Sequence, residues 1–310
     1  MPRTAAVLGA VLAVAVLAGC GPSTPTAPPS SNSPSAGAAP SSVSGAPSGE
    51  AQPAPGAPEL ASPPGQAPPG TRAVPVYYLG HTAAGDRLYR EFHQVRVAGA
   101  DDLGSAAVRE LLAHPAGVDP NYRSAWPTGW TLRAPVRRTA GVITVDLTEP
   151  KGGGSRPDAS RAGWATRQLV YTVQGALGAT DLVRVLVDGR QVRQLWGTVA
   201  VDQPLTRGDP YTSRSLVQID NPGNGVTLGR SFQVSGEAAV FEATVLWEVL
   251  SGTTVVRHGF TTTAEGQKFS PYSFSLTLEP GSYTLRVYED DPSGGQGGAP
   301  DSDSKSITVR

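Results

Sequence analysis

The uneven distribution of prolines is the feature that most restricts how this 310-residue chain can fold. Fourteen of the 29 prolines fall in residues 21–72, among many serines, alanines and glycines and without any aromatic residue. Such a segment buries too little apolar surface to offset the conformational entropy that folding removes. We therefore expect residues 20–72 to form a disordered, partly polyproline-II linker. A proline-rich recognition ligand is the alternative, but no repeated PxxP with basic flanks supports it.

The N-terminus has the parts of a secretory signal. Arg3 is followed by an uncharged stretch from Thr4 to Ala18, which is shorter than the roughly 20 residues that cross a membrane. Small residues then precede Cys20, the single cysteine of the chain. This pattern predicts a cleaved signal peptide in residues 1–19. A lone cysteine also excludes an internal disulfide and a thiolate zinc cluster.

The residues Leu17, Ala18, Gly19 and Cys20 are similar to the lipobox of bacterial lipoproteins. The resemblance implies that a diacylglyceryl group is attached to the Cys20 thiol and that the chain is cleaved before it. Two or more acyl chains anchor a protein stably, so we expect the mature protein on the outer face of the cytoplasmic membrane. An uncleaved anchor, or a simple secretory signal with a chance cysteine, is the alternative.

Residues 73–209 show strand and helix periodicities in turn. Asp101 and Asp102 offer caps for the first helix, and Asp188-Gly189 is a two-residue hairpin signal. The order ββαββαββ predicts an α+β domain with helices on one face of a mixed sheet. The predicted elements are strands at Val74–Leu79 and Arg87–Val97, a helix bearing Leu103, Ala107, Val108, Leu111 and Leu112, strands at Trp130–Arg138 and Val142–Leu147, a helix at Ala162–Leu177, and strands at Leu182–Val187 and Val192–Trp196.

Six spaced segments of this region carry a family resemblance. They are Tyr77–Leu79, Glu110–Pro115, Trp126–Leu132, Gly141–Leu147, Gln168–Val173 and Val185–Gly189. Together they resemble the GerMN domain of sporulation and spore-germination lipoproteins. The resemblance implies a noncatalytic α/β module that is similar to the ring-building modules of envelope assemblies. Relatives also occur in lipoproteins of non-sporulating actinobacteria, so the resemblance alone does not imply germination.

Residues 215–310 lose the helical period and show seven short alternating segments, which predict an antiparallel β-sandwich. We expect Trp247, Phe274 and Tyr283 to supply much of its core. The predicted strands are Leu216–Ile219, Phe232–Val234, Val245–Leu250, Val255–Phe260, Tyr272–Leu278, Tyr283–Tyr288 and Ile307–Val309.

Four segments of this second region also carry a resemblance: Val234–Val245, Gly259–Thr262, Tyr272–Phe274 and Leu285–Gly294. They resemble the immunoglobulin-like domain of bacterial spore-germination proteins. The resemblance covers the whole region and implies an immunoglobulin-like sandwich that follows the GerMN-like domain.

Catalytic motifs are missing from the sequence, which contains neither a GxSxG nucleophile elbow nor an HExxH zinc motif. The four histidines are therefore interpreted structurally: His81 in a turn, His114 at a helix end, and His93 and His258 as solvent-facing strand residues. We predict no catalytic residue, no cofactor and no metal site, and hence no enzyme.

Two loops are considered for ligand binding. Gly223-Asn224-Gly225 is a weak phosphate-loop candidate, and a hairpin turn is preferred because no helix follows it. The loop from Asp290 to Asp303 is rich in aspartate and glycine and could hold calcium weakly, but its spacing matches no EF-hand. A solvated loop is the preferred interpretation.

Charge is divided unequally between the two regions, although the net charge of -1 gives no argument for nucleic acid. Residues 71–212 carry 17 basic and 13 acidic side chains, whereas residues 213–310 carry 7 and 11. The two regions could attract each other, or the first could face anionic wall polymers. Six arginines on the predicted strands form either a solvated face or a binding patch: Arg133, Arg137, Arg138, Arg184, Arg190 and Arg193.

These patterns predict a membrane-anchored extracytoplasmic lipoprotein that acts as a noncatalytic binding or assembly module in the cell envelope. Its expected partners are the membrane, through the N-terminal lipid, and envelope proteins or cell-wall polymer, reached through exposed sheet edges. The alternative is a cell-wall-active enzyme or small-ligand carrier with a pocket between the two domains.

Overall fold

The computed structural model describes residues 70–97, 102–291 and 299–310, which all belong to one compact unit, Glu59–Arg310. The predicted signal peptide, the lipobox with Cys20 and almost all of the linker lie outside the described residues. Among the described helices, none is both long enough and apolar enough to cross a membrane.

An α+β domain forms the first part of the described chain, as predicted. Its elements are β1 (Thr71–Thr82), β2 (Gly85–Arg96), α1 (Leu103–Ala113), β3 (Thr131–Leu132), β4 (Arg137–Thr139), β5 (Val142–Thr148), α2 (Ala159–Leu177), β6 (Leu182–Val187), β7 (Arg190–Gln191), β8 (Gln194–Leu195), β9 (Val199–Ala200) and α3 (Pro210–Ser213).

The sheet of this domain is mixed. Strands β5 and β6 are parallel, whereas β3 and β4 pair antiparallel with β5, and β7 pairs antiparallel with β6. Strands β1 and β2 form a separate antiparallel hairpin, and both long helices pack on each other and on β1. The hairpin thereby shares one hydrophobic core with the helices and the mixed sheet.

The two long helices begin differently. Asp158 caps α2, because its carboxylate accepts a hydrogen bond from the Arg161 backbone N–H at 2.8 Å. Asp102 stands at the N-cap of α1 but makes no capping hydrogen bond, and its carboxylate lies 3.6 Å from Arg109. The predicted side-chain cap at Asp102 is therefore wrong, because an ion pair occupies the carboxylate. Asp101 lies outside the described residues.

Two predicted strands of the first domain are broken. Trp130–Arg138 contains only β3 and β4, and Val192–Trp196 contains only β8. The physical reason is a buried aromatic cluster, in which the rings of Trp126, Trp130 and Trp196 pack edge to face with centroids 5.2–6.0 Å apart. Trp196 reaches this cluster with a backbone φ of 53°, which is incompatible with a strand.

The predicted hairpin turn before these residues is confirmed. Asp188 and Gly189 both have positive φ, 50° and 77°, and they join β6 to the antiparallel β7. A positive φ at both central residues is the requirement of a type I′ turn.

An immunoglobulin-like β-sandwich forms the second part of the chain, as predicted. It has a three-stranded sheet in the order β10-β12-β15 and a five-stranded sheet in the order β11-β17-β16-β13-β14. The strands are β10 (Val217–Asn221), β11 (Val226–Leu228), β12 (Ser231–Ala238), β13 (Thr244–Ser251), β14 (Thr254–Thr262), β15 (Ser270–Thr277), β16 (Gly281–Glu289) and β17 (Ser302–Val309).

All seven predicted strands of the sandwich are present, and β11 is additional. The segment around Asn224 is not a hairpin turn, because β10 and β11 belong to different sheets. Instead, the Asn224 side-chain oxygen accepts a hydrogen bond from the Ser306 N–H at 2.9 Å, and the Gly225 N–H donates to the Ser306 carbonyl at 2.7 Å. The segment carries the chain from one sheet to the other.

The sandwich core is mostly aliphatic. Tyr272 is its fully buried aromatic residue, while Trp247, Phe274 and Tyr283 are only partly buried and pack against the core from its margin. The Trp247 and Phe274 rings stack with centroids 5.0 Å apart. The three aromatic residues predicted for the core therefore lie at its margin and not at its centre.

Candidate functional site

A buried charged cluster joins the two domains. The Lys305 ammonium, on β17, donates to Asp119 Oδ2 at 2.8 Å, to the Tyr122 hydroxyl at 2.7 Å and to Asp303 Oδ1 at 3.2 Å. Tyr122 in turn donates to Asp303 at 2.7 Å, and the ammonium lies 4.1 Å from the centre of the Tyr122 ring. Since the Lys305 side chain is only 2% exposed, this lysine depends on these partners to remain charged.

The electrostatics of the cluster follow from two carboxylates sharing one ammonium. Burial alone would lower the pKa of Lys305, but Asp303 and Asp119 outweigh it, and the pKa lies above its ordinary value. Burial raises the pKa of Asp303, and Lys305 offsets this only in part. The ammonium is therefore held in its charged form at the junction.

A second ion-pair group lies at the same junction. The Arg90 guanidinium, on β2, binds both carboxylate oxygens of Asp220 at 3.0 and 2.6 Å and lies 3.7 Å from Glu237, which also pairs with Arg214. Burial would raise the pKa of Glu237, but Arg214 and Arg90 hold it below its ordinary value. A forked guanidinium–carboxylate pair fixes orientation as well as distance, so it adds geometric definition to the junction.

The predicted attraction between the two regions therefore takes a specific form. Arg90 lies in the basic region and pairs with Asp220 in the acidic region, as the opposite net charges of the two regions suggest. Lys305 makes the opposite pairing, because this basic residue lies in the acidic region and binds Asp119 in the basic region. A neutral contact accompanies them, in which the Ser215 N–H donates to the Leu88 carbonyl at 3.0 Å.

The aspartates after the glycine-rich loop are structural. Asp301 accepts a hydrogen bond from the Leu216 N–H at 3.0 Å, and Asp303 accepts one from the Ile219 N–H at 2.7 Å. Both are buried, so the prediction of a solvated loop is wrong for these two positions. Their carboxylates attach β10 to β17 instead, because the buried backbone amides of that region need acceptors.

Glu91 connects the junction to a group of histidines. Its carboxylate accepts the backbone N–H groups of Val118 at 2.9 Å and Asp119 at 2.8 Å, which fixes the loop that presents Asp119 to Lys305. Burial would raise the pKa of Glu91, but His93 and these amides keep it below its ordinary value. The same carboxylate lies 3.5 Å from His93 Nε2.

The prediction of a solvent-facing His93 is wrong. Its side chain is 11% exposed, its ring stacks on Tyr78 with centroids 5.8 Å apart, and its Nδ1 lies 3.0 Å from Glu110 Oε2. The reason is that this side chain is covered by α1, whose C-cap residue His114 also contacts Glu110 Oε2, at 3.2 Å. His93, Glu110 and His114 each offer one ligand atom for a metal ion, all within 4.8 Å of one another.

His258 is exposed on β14, as predicted. His81 is exposed beside Asp86, but the prediction of a turn is wrong, because His81 lies in β1 opposite Asp86 of β2 and the turn comes at residues 83–84. The six arginines singled out in the sequence are also all exposed. Arg133 pairs with Asp146 at 3.0 Å and Arg138 pairs with Asp181, which accounts for two of the six.

Three surface grooves in the described part of the chain each lie within one domain. One of the three has a volume of about 470 Å³ and a charged lining, and it lies in the first domain between Asp86, Arg123, Arg161 and Trp164. Arg123 and Asp86 pair across it at 2.6 Å. Two other grooves are each lined by one domain, whereas the junction around Lys305 is filled by side chains.

An exposed apolar surface lies on the second domain. Strand β14 is the edge of the five-stranded sheet and carries Val255, Val256 and Phe260, of which Phe260 is 70% exposed. In the strand register, Phe260 lies opposite Leu246 and Val255 lies opposite Leu250, so the apolar residues continue onto β13. We call Val255, Val256, Phe260, Leu246 and Leu250 the β14 surface.

Sequence reasoning missed Lys305, Asp119, Tyr122 and Glu91. One signal was available at Lys305, since the alternation of β17 puts Asp303 and Lys305 on the same side as the core residues Ile307 and Val309. Charged residues in a core-facing register indicate a partner on another element. The loop residues Asp119 and Tyr122 carry no comparable signal.

Comparison with known domain families gives two matches. Residues 75–193 match a family described as sporulation and spore germination. Residues 216–296 match a family described as an immunoglobulin-like domain of bacterial spore germination. These matches confirm both resemblances drawn from the sequence, and neither description names a catalytic activity.

Solved structures add two similarities. The tandem GerMN domains of the sporulation protein GerM from Bacillus subtilis share 18% identity over 49% of this chain and 47% of that one, with a TM-score of 0.33. The fibronectin(III)-like modules of Clostridium thermocellum CbhA share 21% identity over 30% of this chain and 95% of that one, with a TM-score of 0.21. The chain thus spans about half of the GerM structure. No curated protein matches it.

Proposed function

We propose that this chain, which carries a sporulation and spore germination domain followed by an immunoglobulin-like domain of spore germination, is a lipid-anchored extracytoplasmic protein that binds an envelope protein and catalyses no reaction. Both family descriptions relate its domains to sporulation or germination. The observation that carries the binding role is the β14 surface, where an edge strand and exposed apolar side chains coincide.

The edge position supplies backbone partners for a binding protein. Among the described strands, β14 pairs only with β13, so the backbone groups on its other side are not used within its sheet. Natural proteins usually protect such an edge with charges, prolines or a covering element, because it is a template for another strand. Strand β14, Thr254–Thr262, contains no proline. Its only permanently charged side chain is that of Arg257, whereas Val255, Val256 and Phe260 are apolar.

The side chains indicate the chemistry of the partner. Burial of a phenylalanine side chain contributes about 1.5–3 kcal/mol, and Phe260 has most of its surface available for that purpose. Val255 and Val256 extend the apolar area along the same strand. We expect the partner to be an extended segment with alternating apolar residues, added as a further strand beside β14.

The junction supports the same role by orienting the surface. Because the buried pairs of Lys305 and Arg90 join the two domains, the β14 surface has a defined direction relative to the first domain. A defined orientation reduces the entropy that binding must remove.

The alternative, a wall-active enzyme or ligand carrier, requires a pocket between the domains. Side chains of Lys305, Asp119, Asp303 and Tyr122 occupy the junction, so no observation there favours this function. The charged groove beside Arg123 lies within the first domain, and Arg123 is paired there with Asp86.

The test introduces a photo-crosslinking amino acid at position 258 of β14 in intact cells. We expect it to capture one envelope protein, and Phe260→Asp should abolish that crosslink and weaken binding of the purified partner at least tenfold, because a carboxylate replaces the exposed ring that the partner would bury. Thr227→Asp is the matched control, since Thr227 is exposed on β11 at the opposite edge of the same sheet. Equal binding by the two variants would contradict the proposal.

A further inference from the structure

We propose that His93, Glu110 and His114 form a binding site for one divalent transition-metal ion, with zinc as the best match. The site lies where the C-terminal end of α1 meets β2. It is separate from the β14 surface and does not depend on the proposed binding function.

The distances are close to those of a coordination site. Glu110 Oε2 lies 3.0 Å from His93 Nδ1 and 3.2 Å from His114 Nε2. An ion held tetrahedrally at about 2.0–2.1 Å separates its ligand atoms by roughly 3.3 Å. The two distances from Glu110 Oε2 are therefore close to the separation that a tetrahedral ion requires. The remaining distance, between the His93 and His114 nitrogens, is within 4.8 Å and can shorten by rotation of the half-exposed His114 side chain.

The ligand types select the metal. Two imidazole nitrogens and one carboxylate oxygen are a ligand set that zinc uses, with a fourth position left for water. Calcium and magnesium prefer all-oxygen ligands, so the two histidines disfavour them. Glu110 and His114 stand four residues apart at the end of α1, which brings their side chains to the same helix face.

The surroundings provide the outer groups that metal sites use. Glu91 lies 3.5 Å from Nε2 of His93, the ring nitrogen that does not face Glu110, in the carboxylate–histidine arrangement that orients a ligand imidazole. The Glu91 carboxylate also accepts hydrogen bonds from two backbone N–H groups, which hold it in position.

Tyr78 gives independent support. Its side chain is fully buried and stacks on His93, and its hydroxyl has no hydrogen-bond partner among the residues that the structure describes. Buried polar groups nearly always have a partner, and we expect a metal-bound water to be the partner here.

The site is connected to the domain junction. Glu91 fixes the loop at Val118 and Asp119, and Asp119 is the partner of Lys305. An ion that holds His93 and Glu110 together would therefore stabilise the loop that carries the junction.

The experiment measures zinc binding to the full chain without an affinity tag, after removal of metal by a chelator. Titration of zinc chloride against a chromogenic chelator should give one zinc per chain, and X-ray absorption should show nitrogen and oxygen ligands at about 2.0–2.1 Å. His114→Ala and Glu110→Gln should each weaken binding at least tenfold. His258→Ala is the matched control and should bind zinc like the unchanged protein, because His258 is exposed on a different domain.

Two results would overturn the proposal: substoichiometric zinc in the unchanged protein, or equal zinc affinity of His114→Ala and His258→Ala. The metal-free melting temperatures of these two variants check their folding, and both positions are exposed enough to accept alanine. Glu110→Gln keeps the side-chain shape and so tests the carboxylate charge separately.

Discussion

Individual residues at the junction show how buried charge defines the arrangement of the two domains. Lys305 satisfies its three donors with Asp119, Tyr122 and Asp303, so its desolvation is offset by hydrogen bonds from both domains. An apolar contact of the same size would tolerate sliding, whereas these directional contacts do not. We interpret the cluster as a device that sets domain orientation more than total stability.

Lys305→Met should lower the free energy of unfolding by about 3–5 kcal/mol, because two buried carboxylates lose their shared cation. Urea unfolding at neutral pH measures this change. Arg230→Met is the control: its pair with Glu279 is exposed on both sides and should cost at most about 1 kcal/mol. A loss at Lys305 no larger than that at Arg230 would show that the buried cluster contributes no more than an exposed ion pair.

At the scale of elements, β12 illustrates how close packing depends on one missing side chain. It is the central strand of the three-stranded sheet, between β10 and β15. A Cβ at Gly236 would lie 2.0 Å from the Gln218 carbonyl oxygen and 2.5 Å from the Tyr272 hydroxyl, which donates to that same oxygen at 2.8 Å. The close approach of the strands is thus possible only with glycine at this position.

Gly236→Ala should destabilise the protein by about 2–3 kcal/mol, since either the strand or the buried Tyr272 must move. Thermal unfolding followed by circular dichroism measures the effect. Gly229→Ala provides the comparison, because its added Cβ would meet no atom within 4 Å and its backbone is not left-handed. If the two variants melt alike, the contact at Gly236 is not limiting.

At the scale of the whole molecule, we propose that the predicted lipid on Cys20 decides where the two domains act. Anchored there, the β14 surface would be on the outer side of the membrane, where an envelope partner is accessible.

Cys20→Ala should move the protein from the membrane fraction to the culture fluid, since no thiol remains for the lipid. Immunoblotting of both fractions measures the shift, and Ser23→Ala, which leaves the four lipobox residues intact, should stay with the membrane. Retention of Cys20→Ala in the membrane fraction would refute lipid anchoring.

Features with a local physical cause could be predicted from the sequence. The long helix from Ala159 to Leu177, the turn at Asp188-Gly189 and the seven strands of the sandwich arise from periodicity and turn chemistry within a few residues. The family resemblances followed from the same short segments and are confirmed. The signal peptide and Cys20 remain predictions, because they lie outside the described residues.

Contacts between distant segments were decided only by the tertiary structure. Lys305 and Asp119 are 186 residues apart, and His93 reaches Glu110 only because the hairpin of β1 and β2 packs against α1. The inward turn of Trp130 and Trp196 likewise broke strands that their local pattern favoured. Periodicity predicts which side of a helix or strand is buried. Ion pairs and ligand geometry depend on which other element packs against that side, and the tertiary structure alone decides that.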